Sequence, residues 1–312
     1  MKLNLRALGS VLAGLLLCAG SLARATETLI VPPQAVTFQL GELSIVSLHD
    51  GNGIAPNDAT AVGIDGGVEG VHALMKAAGA PVDQRTSSYS VLLVKLGPRT
   101  ILIDTGEGTI VGGVLLQCLA AAKVAASDIT DILITHSHYD HVGGLVDKDG
   151  RSEFPSAKIH ISAPEWAYFQ SGPGPSKRTF QGRDYVLDSK TVVDPIKGQV
   201  TTFAPGDEIF PGLKSVPIPG HTPGHVGYEI SSRGQRLMVV GDLLHNHIIS
   251  LAKPLWTNAF DFDPKLGAQT RLAMVTQLAA SGELVFSGHL PFPSIGRIKA
   301  TDEGFVWAPV KP

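Results

Sequence analysis

The stretch ITHSHYDHVGGL, residues 134 to 145, decides how this sequence is interpreted. It places His136, His138 and His141, three of the chain's 11 histidines, within six positions and sets Asp140 among them. The apolar segment DILIT predicts a strand that ends where the histidines begin. Because side chains alternate along extended backbone, His136 and His138 point to one side and can hold one metal ion together. Asp140 and His141 follow at a predicted helical turn and aim at a second point nearby.

Three further candidate ligands stand at the ends of predicted strands. His221 ends SVPIPGH, Asp242 ends MVVGD and His289 ends LVFSGH, and each follows a glycine. Neutral imidazole together with carboxylate suits zinc and related divalent ions, whereas calcium and magnesium prefer oxygen alone. Seven ligands are too many for one tetrahedral ion, so the pattern predicts two ions that share Asp242 as a bridge.

The order of apolar runs along the chain predicts an α/β fold. Strands are predicted at 43 to 48, 90 to 96, 100 to 106, 131 to 136, 157 to 162, 213 to 220, 226 to 231, 236 to 242 and 283 to 289. Helices are predicted at 71 to 78, 110 to 126, 164 to 170 and 264 to 280. Strands followed by strand and helix alternation, twice over, indicate two packed sheets with helices outside them.

The first 25 residues predict a secretory signal peptide. Lys2 and Arg6 form a basic start, residues 11 to 18 are apolar, and Ala23-Arg24-Ala25 offers a cleavage site between small residues. A permanent membrane anchor is the rival interpretation, but the apolar run falls short of the roughly 20 residues that span a bilayer. We therefore expect a single domain over residues 26 to 312, periplasmic or secreted, without stable membrane insertion after cleavage.

Charge and cysteine content exclude some partners and chemistries. Cleavage after Ala25 would remove three basic residues and no acidic ones, leaving 22 basic against 28 acidic residues. Such an acidic chain is a poor nucleic-acid binder, so no nucleic-acid partner is expected. Cys118 would remain as a single cysteine within VGGVLLQCLAAAKVAA, which predicts a small buried residue on a helix.

Five motifs in order resemble the metallo-β-lactamase superfamily of binuclear metallohydrolases. They are LIDTG (102 to 106), THSHYDH (135 to 141), PGHTPGH (219 to 225), GD (241 to 242) and SGH (287 to 289). The resemblance implies an αββα sandwich, with Asp104 as a support for the histidine loop that is not itself a ligand. It implies these ligand sets: His136, His138 and His221 for the first metal, Asp140, His141 and His289 for the second, and Asp242 between them.

Two departures within the superfamily narrow the expected substrate. Dinuclear β-lactamases carry a cysteine where Asp242 stands, which argues against β-lactam hydrolysis. The stretch from 287 to 310 resembles the methyl parathion hydrolase group, exported bacterial organophosphate hydrolases. Quorum-quenching acyl-homoserine lactonases share the ligands but typically place a tyrosine where this chain has His245. We therefore expect hydrolysis of organophosphate triesters or activated esters, with a lactone as the first alternative. A mononuclear iron sulfur-oxygenase and a non-catalytic metal protein stay open.

The predicted site also indicates a mechanism. A water shared by two divalent ions has its pKa lowered from 15.7 towards roughly 7, so hydroxide is available without a serine or cysteine nucleophile. Asp242 as the bridge and Asp140 as a proton acceptor are the predicted catalytic carboxylates. Zinc is the expected ion, with manganese, cobalt and iron open, and the partner is a small ester, phosphotriester or lactone. The sequence leaves open whether the chain forms a homodimer.

Residues between the ligands are candidates for the substrate pocket. His245, Trp166, Trp256 and Phe260 are expected to line it, although each of the three aromatic residues is equally consistent with ordinary core. His225 in PGHTPGH is expected to be a structural hydrogen-bonding partner. The basic run SKR at 176 to 178 is expected to be a solvated loop.

Overall fold

The computed structural model describes residues 25–311, so the predicted signal peptide lies outside the described residues except for Ala25. The strands are β1 Thr26–Leu29, β2 Ala35–Leu40, β3 Leu43–Pro56, β4 Gln84–Leu96, β5 Arg99–Ile103, β6 Asp131–Leu133, β7 Lys158–Ser162, β8 Pro175–Phe180, β9 Arg183–Asp188, β10 Val200–Phe203, β11 Glu208–Phe210, β12 Leu213–Pro217, β13 Val226–Ser232, β14 Gln235–Val239, β15 Leu284–Phe286, β16 Ile295–Thr301 and β17 Gly304–Pro309. The helices are α1 Gly67–Ala77, α2 Leu115–Ala121, α3 Tyr139–Val142, α4 Ala163–Ser171, α5 Lys190–Ile196, α6 Ile249–Ala252 and α7 Pro264–Ser281.

The strands form two mixed sheets. The first sheet has the order β10-β7-β6-β5-β4-β3-β1-β8-β9, with β2 also paired to β3. The second has the order β11-β12-β13-β14-β15-β16-β17. Within them β5 and β6 are parallel, as are β14 and β15, so the carboxyl ends of each pair lie at one edge. That shared edge is where α/β sheets place ligands.

Period-two alternation of apolar residues packs the two sheets against each other. On β5, Ile101 and Ile103 face the second sheet, while Leu102 faces the opposite way. On β14, Leu237 and Val239 face the first sheet in the same manner. All five side chains are buried on their respective faces, as expected when both faces of a sheet are covered. The cluster between the sheets is therefore one continuous apolar layer.

Helices cover the two outer faces. On the first sheet, Cys118 of α2, Phe169 of α4 and Val192 of α5 are buried in the outer cluster. On the second sheet, Val275 and Leu278 of α7 are buried in the matching position. The order of layers is helix, sheet, sheet, helix, and the predicted αββα sandwich is confirmed.

Each predicted strand and helix overlaps an observed one, but several elements were missed. The sequence did not predict β1, β2, β8 to β11, β16 or β17, most of which are short or partly exposed. The predicted helix at 110 to 126 is shorter, because regular α-helix covers only Leu115–Ala121. Cys118 is fully buried there, and its thiol donates to the His49 carbonyl at 3.2 Å. Within residues 25–311 no helix combines the length and apolarity needed to cross a membrane.

Candidate metal centre

The sandwich brings all seven predicted ligands to one edge, each just beyond a strand. His136 and His138 follow β6, and α3 carries Asp140 and His141 immediately after them. The other three follow strands of the second sheet: His221 comes after β12, Asp242 after β14 and His289 after β15. The ligands thus come from both sheets and meet where the two sheets open.

Three imidazole nitrogens converge in the first group of ligands. His136 Nε2 lies 3.2 Å from His138 Nδ1 and 3.2 Å from His221 Nε2, and the last two atoms are 2.9 Å apart. The three mutual contacts cannot all be hydrogen bonds, because a ring nitrogen that donates its proton has no lone pair with which to accept another. Ligands about 2.0 to 2.1 Å from a tetrahedral ion stand about 3.3 Å from each other, so the spacing fits an ion at the centre of these nitrogens.

The second group is made by Asp140, His141 and His289. His141 Nε2 lies 3.4 Å from His289 Nε2, and Asp140 Oδ2 lies 3.6 Å from His289 Nε2. The three ligand atoms all lie within 4.8 Å of one another, close enough to bind one ion. Two imidazoles with one carboxylate form a set that suits zinc and its neighbours.

Asp242 stands between the groups, and its carboxylate contacts histidines of both. Its Oδ2 lies 3.3 Å from His221 Nε2 and 3.7 Å from His136 Nε2, and it also lies 3.2 Å from His289 Nε2. Its Oδ1 lies 3.0 Å from His141 Nε2 and 3.1 Å from His289 Nε2. Oδ1 is buried yet makes no hydrogen bond of acceptable geometry with either ring, as expected when all three atoms point at a common ion. The donor set therefore fits two ions bridged by this carboxylate.

Local backbone geometry places the Asp242 carboxylate. Gly241 has a φ of 51°, in the left-handed region that favours glycine. A Cβ at this position would overlap Nε2 of His225. That nitrogen accepts the Asp242 backbone N–H at 3.2 Å, and Nδ1 of the same ring donates to the Ile218 carbonyl at 2.9 Å. His225 therefore acts as the hydrogen-bonding spacer that its motif suggested, and it positions the bridge.

The charges around the ligands set their protonation without an ion. Burial lowers the pKa of His136 well below its usual value and that of His138 to about 3, so both are neutral. Burial alone would also lower the pKa of His221, but hydrogen bonds with Asp242 and Asp261 raise it to about 9. The ion-free site thus holds at least one proton that a bound cation must displace.

Asp104 supports the histidine loop from below and is not among the converging ligands. It follows β5 with a φ of 62°, a conformation that aspartate tolerates better than most residues. Its Oδ1 accepts the Thr135 N–H at 2.8 Å, and its Oδ2 accepts the Thr135 hydroxyl at 2.9 Å. The same Oδ2 accepts Nδ1–H of His141 at 2.8 Å, which directs Nε2 of that ring to the metal site.

Glu165 joins the two loops that carry the first group, and sequence reasoning missed it. It is fully buried at the start of α4. Oε1 accepts the N–H and hydroxyl of Ser137 at 2.8 and 2.6 Å, while Oε2 accepts the Thr222 hydroxyl at 2.7 Å and the Gly224 N–H at 3.0 Å. The only sequence signal was SAPE, residues 162 to 165, a pattern typical of helix starts.

Asp261 orients His221 and was also missed. Its Oδ1 accepts Nδ1–H of His221 at 2.9 Å, which leaves Nε2 free for an ion. Its Oδ2 lies 3.1 Å from the guanidinium of Arg271, a fully buried residue of α7. Arg271 also donates to the carbonyls of Pro254 and Trp256, so it ties the Asp261 loop to the helix. No short motif marks this aspartate in the sequence.

The SKR run is not a solvated loop, because Arg178 is a buried residue of β8. Its Nε lies 2.5 Å from Oε1 of Glu107, and Thr28 donates to Oε2 of the same carboxylate at 2.9 Å. Its Nη2 lies 3.4 Å from Oδ2 of Asp140. Burial would raise the pKa of Asp140, but the positive charges of Arg178, His141 and His289 together outweigh burial and lower the pKa to about 2. Asp140 is therefore ionised at neutral pH.

A cavity of about 460 Å³ opens over the centre. His245 and Phe260 line it, as predicted, and their rings stack with centroids 5.4 Å apart. His245 Nε2 is buried 3.5 Å from Asp242 Oδ2 and has no hydrogen-bond partner among residues 25–311. Tyr168 and Phe262 add further aromatic surface to the wall.

Two residues predicted for the pocket lie elsewhere, and those predictions were wrong. Trp166 packs against the outer cluster of the first sheet, with its ring 5.8 Å from that of Phe169. Trp256 packs against the apolar cluster that contains Val71 of α1, and it covers Gly66. Neither tryptophan lines the cavity. Both tryptophans pack against apolar clusters beside helices α1 and α4. The sequence pattern alone does not show which aromatic residues fill this role.

Comparison with protein families supports this geometry. Residues 84–289 match the model of the metallo-beta-lactamase superfamily. A probable metallo-hydrolase of Mycobacterium tuberculosis is 27% identical over 182 residues, which are 50% of this chain and 56% of that protein. Metallo-beta-lactamase domain-containing protein 1 of Xenopus laevis is 32% identical over 183 residues, 58% of this chain and 65% of that protein. The chain thus spans less than two thirds of the length of these relatives.

Two solved structures resemble the chain over most of its length. AidC, described as a dizinc quorum-quenching lactonase in complex with its product, superposes with a TM-score of 0.81 at 28% identity. That match covers 90% of this chain and 98% of AidC. AbOPH, described as a hydrolase in the beta lactamase superfamily, superposes with a TM-score of 0.76 at 27% identity, over 90% of this chain and 99% of AbOPH.

Proposed function

The chain belongs to the metallo-β-lactamase superfamily, and from that premise we propose that it is a metal-dependent hydrolase that works with two divalent ions. The observation that carries the proposal is the Asp242 carboxylate, which lies between the two groups of ligands and contacts histidines of both. Zinc is the ion that this donor set favours, with manganese, cobalt and iron as alternatives. We propose that His136, His138 and His221 hold one ion and that Asp140, His141 and His289 hold the other.

The chain's own residues supply the other parts of the chemistry. Two bound divalent ions would lower the pKa of a water molecule towards neutrality and polarise the oxygen of the bond under attack. The Asp140 carboxylate, ionised at neutral pH, would accept the proton released during attack. His245 lines the cavity beside Asp242 and orients the substrate through Nε2. Phe260, stacked on His245, excludes water from one side.

Carboxylic esters, including lactones, are the substrate class with the most support. The structural likeness to a dizinc lactonase covers nearly the whole of both chains. Phosphotriesters are the second candidate, favoured by the stretch from 287 to 310. In either class an aryl leaving group should react fastest, because a phenolate needs less stabilisation than an alkoxide. β-Lactams are a poorer match, because Asp242 stands where dinuclear β-lactamases carry cysteine.

A substrate panel with metal analysis tests the proposal. Metal-loaded protein from residue 26 onward should contain two equivalents of zinc, manganese or cobalt and hydrolyse a lactone or a 4-nitrophenyl ester faster than a cephalosporin. One equivalent of iron without hydrolysis would favour the sulfur-oxygenase alternative. One tightly held ion with no turnover of any ester, lactone or phosphotriester would favour a non-catalytic metal protein. Faster turnover of the phosphotriester than of both carboxylic esters would select the second candidate.

The proposed site of action is outside the cytoplasm. The basic start, the apolar run from 11 to 18 and the small residues before position 26 support a cleaved signal peptide. Fractionation of expressing cells, with N-terminal sequencing of the mature protein, tests both the export and the cleavage after Ala25. Recovery of the full-length chain in the cytoplasm alone would contradict them.

A further inference from the structure

A stripe of three side chains on β4 leads away from the metal centre along the cavity. Arg85, Ser87 and Tyr89 alternate along the strand, so they share one face, and all three line the cavity. Tyr89 is the end nearest the metal centre, since its ring lies edge-on to that of His289 with centroids 5.7 Å apart. At about 3.4 Å per residue, the Cα atom of Arg85 stands about 14 Å farther along the strand.

On the neighbouring strand, small residues stand opposite Arg85 and Ser87. On β3, the residues paired with Arg85 and Ser87 are Ala55 and Gly53. A Cβ at Gly53 would overlap the hydroxyl of Tyr89, so glycine here allows the tyrosine to lie across the strand. Thr26 of β1 continues the same cavity wall with another short side chain. Small residues thus form a floor between the metal centre and Arg85.

Arg85 is buried on this wall, and its guanidinium contacts no carboxylate of the described residues. The residue is 7% exposed, and Nη1 donates to the Pro56 carbonyl. Within residues 25–311 no carboxylate oxygen lies within 4 Å of its guanidinium, and Asp58, the acidic residue that acts on it from farther away, is bonded to Thr60. The buried arginines Arg178 and Arg271 do have such partners.

A buried cation that lacks a partner is costly, and a ligand that supplies the opposite charge removes that cost. We propose that Arg85 forms a subsite for an oxyanion, a carboxylate or a phosphate-type group, at the end of the substrate distant from the bond that is cleaved. The planar guanidinium can donate two parallel hydrogen bonds to such a group. The inference rests on the proposed hydrolase function, and it adds that the natural substrate is elongated and anionic.

The test compares esters that differ only at the far end. The 4-nitrophenyl monoester of suberic acid carries a free carboxylate, its methyl ester counterpart carries none, and a third compound carries a phosphonate. The metal-loaded wild-type protein should hydrolyse the carboxylate or the phosphonate compound with a kcat/KM about 10- to 100-fold above that of the methyl ester, as expected for a charge-assisted pair. The better of the two anionic compounds identifies the preferred oxyanion.

Two variants locate the effect. Arg85→Met keeps the length of the side chain without its charge and should reduce the preference to about one. Lys177→Met is the matched control, because Lys177 is an exposed cation that lines the same cavity from β8, and it should keep the preference within about threefold. Arg85→Lys keeps the positive charge but not the planar guanidinium, and it should show an intermediate preference for the anionic compounds. This variant replaces Arg85→Met as the test if the methionine variant does not fold.

A binding measurement separates this inference from the proposed function. In calorimetric titration, the mono-4-nitroanilide of suberic acid should bind to the wild-type protein at least about tenfold more tightly than it binds to the Arg85→Met variant. Hydrolysis of the methyl ester with no preference for either anionic compound, or a preference retained in Arg85→Met, would overturn the oxyanion subsite and leave the hydrolase proposal standing. Binding of the anilide that depends on Arg85, without turnover of any ester, would support the oxyanion subsite and overturn the hydrolase proposal.

Discussion

The Asp261→Asn substitution is expected to weaken the binding of one ion and leave the other nearly unchanged. Asp261 accepts Nδ1–H of His221 at 2.9 Å with one oxygen and lies 3.1 Å from Arg271 with the other. Asparagine has only one side-chain oxygen, so its amide NH₂ group would face either Nδ1–H of His221 or the guanidinium of Arg271, and both of these are donors. Losing such support for a ligating histidine typically lowers metal affinity 10- to 100-fold, or about 1.4 to 2.7 kcal/mol.

The assay is a zinc titration of metal-free protein in competition with a chromophoric chelator, which resolves the two equivalents. Asp263→Asn is the control, because Asp263 caps α7 by accepting the Leu266 N–H at 2.9 Å and asparagine caps a helix equally well. We expect the control to match wild type and Asp261→Asn to weaken only the equivalent that His221 binds. Unchanged affinity for both equivalents, or the same loss in the control, would refute the role assigned to Asp261.

Three further predictions follow from the centre and its surroundings. Asp242→Ala should abolish hydrolysis and lower metal content, because two cations would lose the carboxylate between them. Kinetics and metal analysis test this prediction, and near-normal turnover with two bound ions would contradict the bridging role. Cys118→Ser should leave kcat within about twofold, since the thiol is buried on α2, does not line the cavity and donates to the His49 carbonyl. A large loss of kcat in a variant of unchanged melting temperature would show a role for sulfur. The pKa of His221 in the ion-free protein is about 9, so the first ion must displace a proton from this ring. Zinc affinity should therefore rise about tenfold per pH unit from pH 7 and level off above pH 9. A zinc affinity that does not depend on pH in buffered titrations would contradict that protonation state.

The sequence by itself predicted the candidate ligands and determined the layered fold that holds them. Each ligand follows an apolar strand, and apolar runs of that length are readable because both faces of these sheets are buried. The spacing of His136, His138, Asp140 and His141 is a local property of one strand end and one helical turn, so no knowledge of the tertiary fold was needed. The αββα order of layers followed from the alternation of strands and helices together with the motifs.

The tertiary structure decided which residues support the centre and which form the pocket wall. Glu165, Asp261 and Arg178 come from distant parts of the chain, and each acts through a hydrogen bond or ion pair whose partner is 28 to 71 positions away. Such pairings leave no local sequence pattern, because the residues next to a buried carboxylate in a loop do not differ from those next to a solvent-exposed one. The same holds for Arg85, whose place over a floor of small residues depends on the register between β3 and β4. Burial of a charge is a property of the whole packed assembly of sheets, and the linear sequence does not record it.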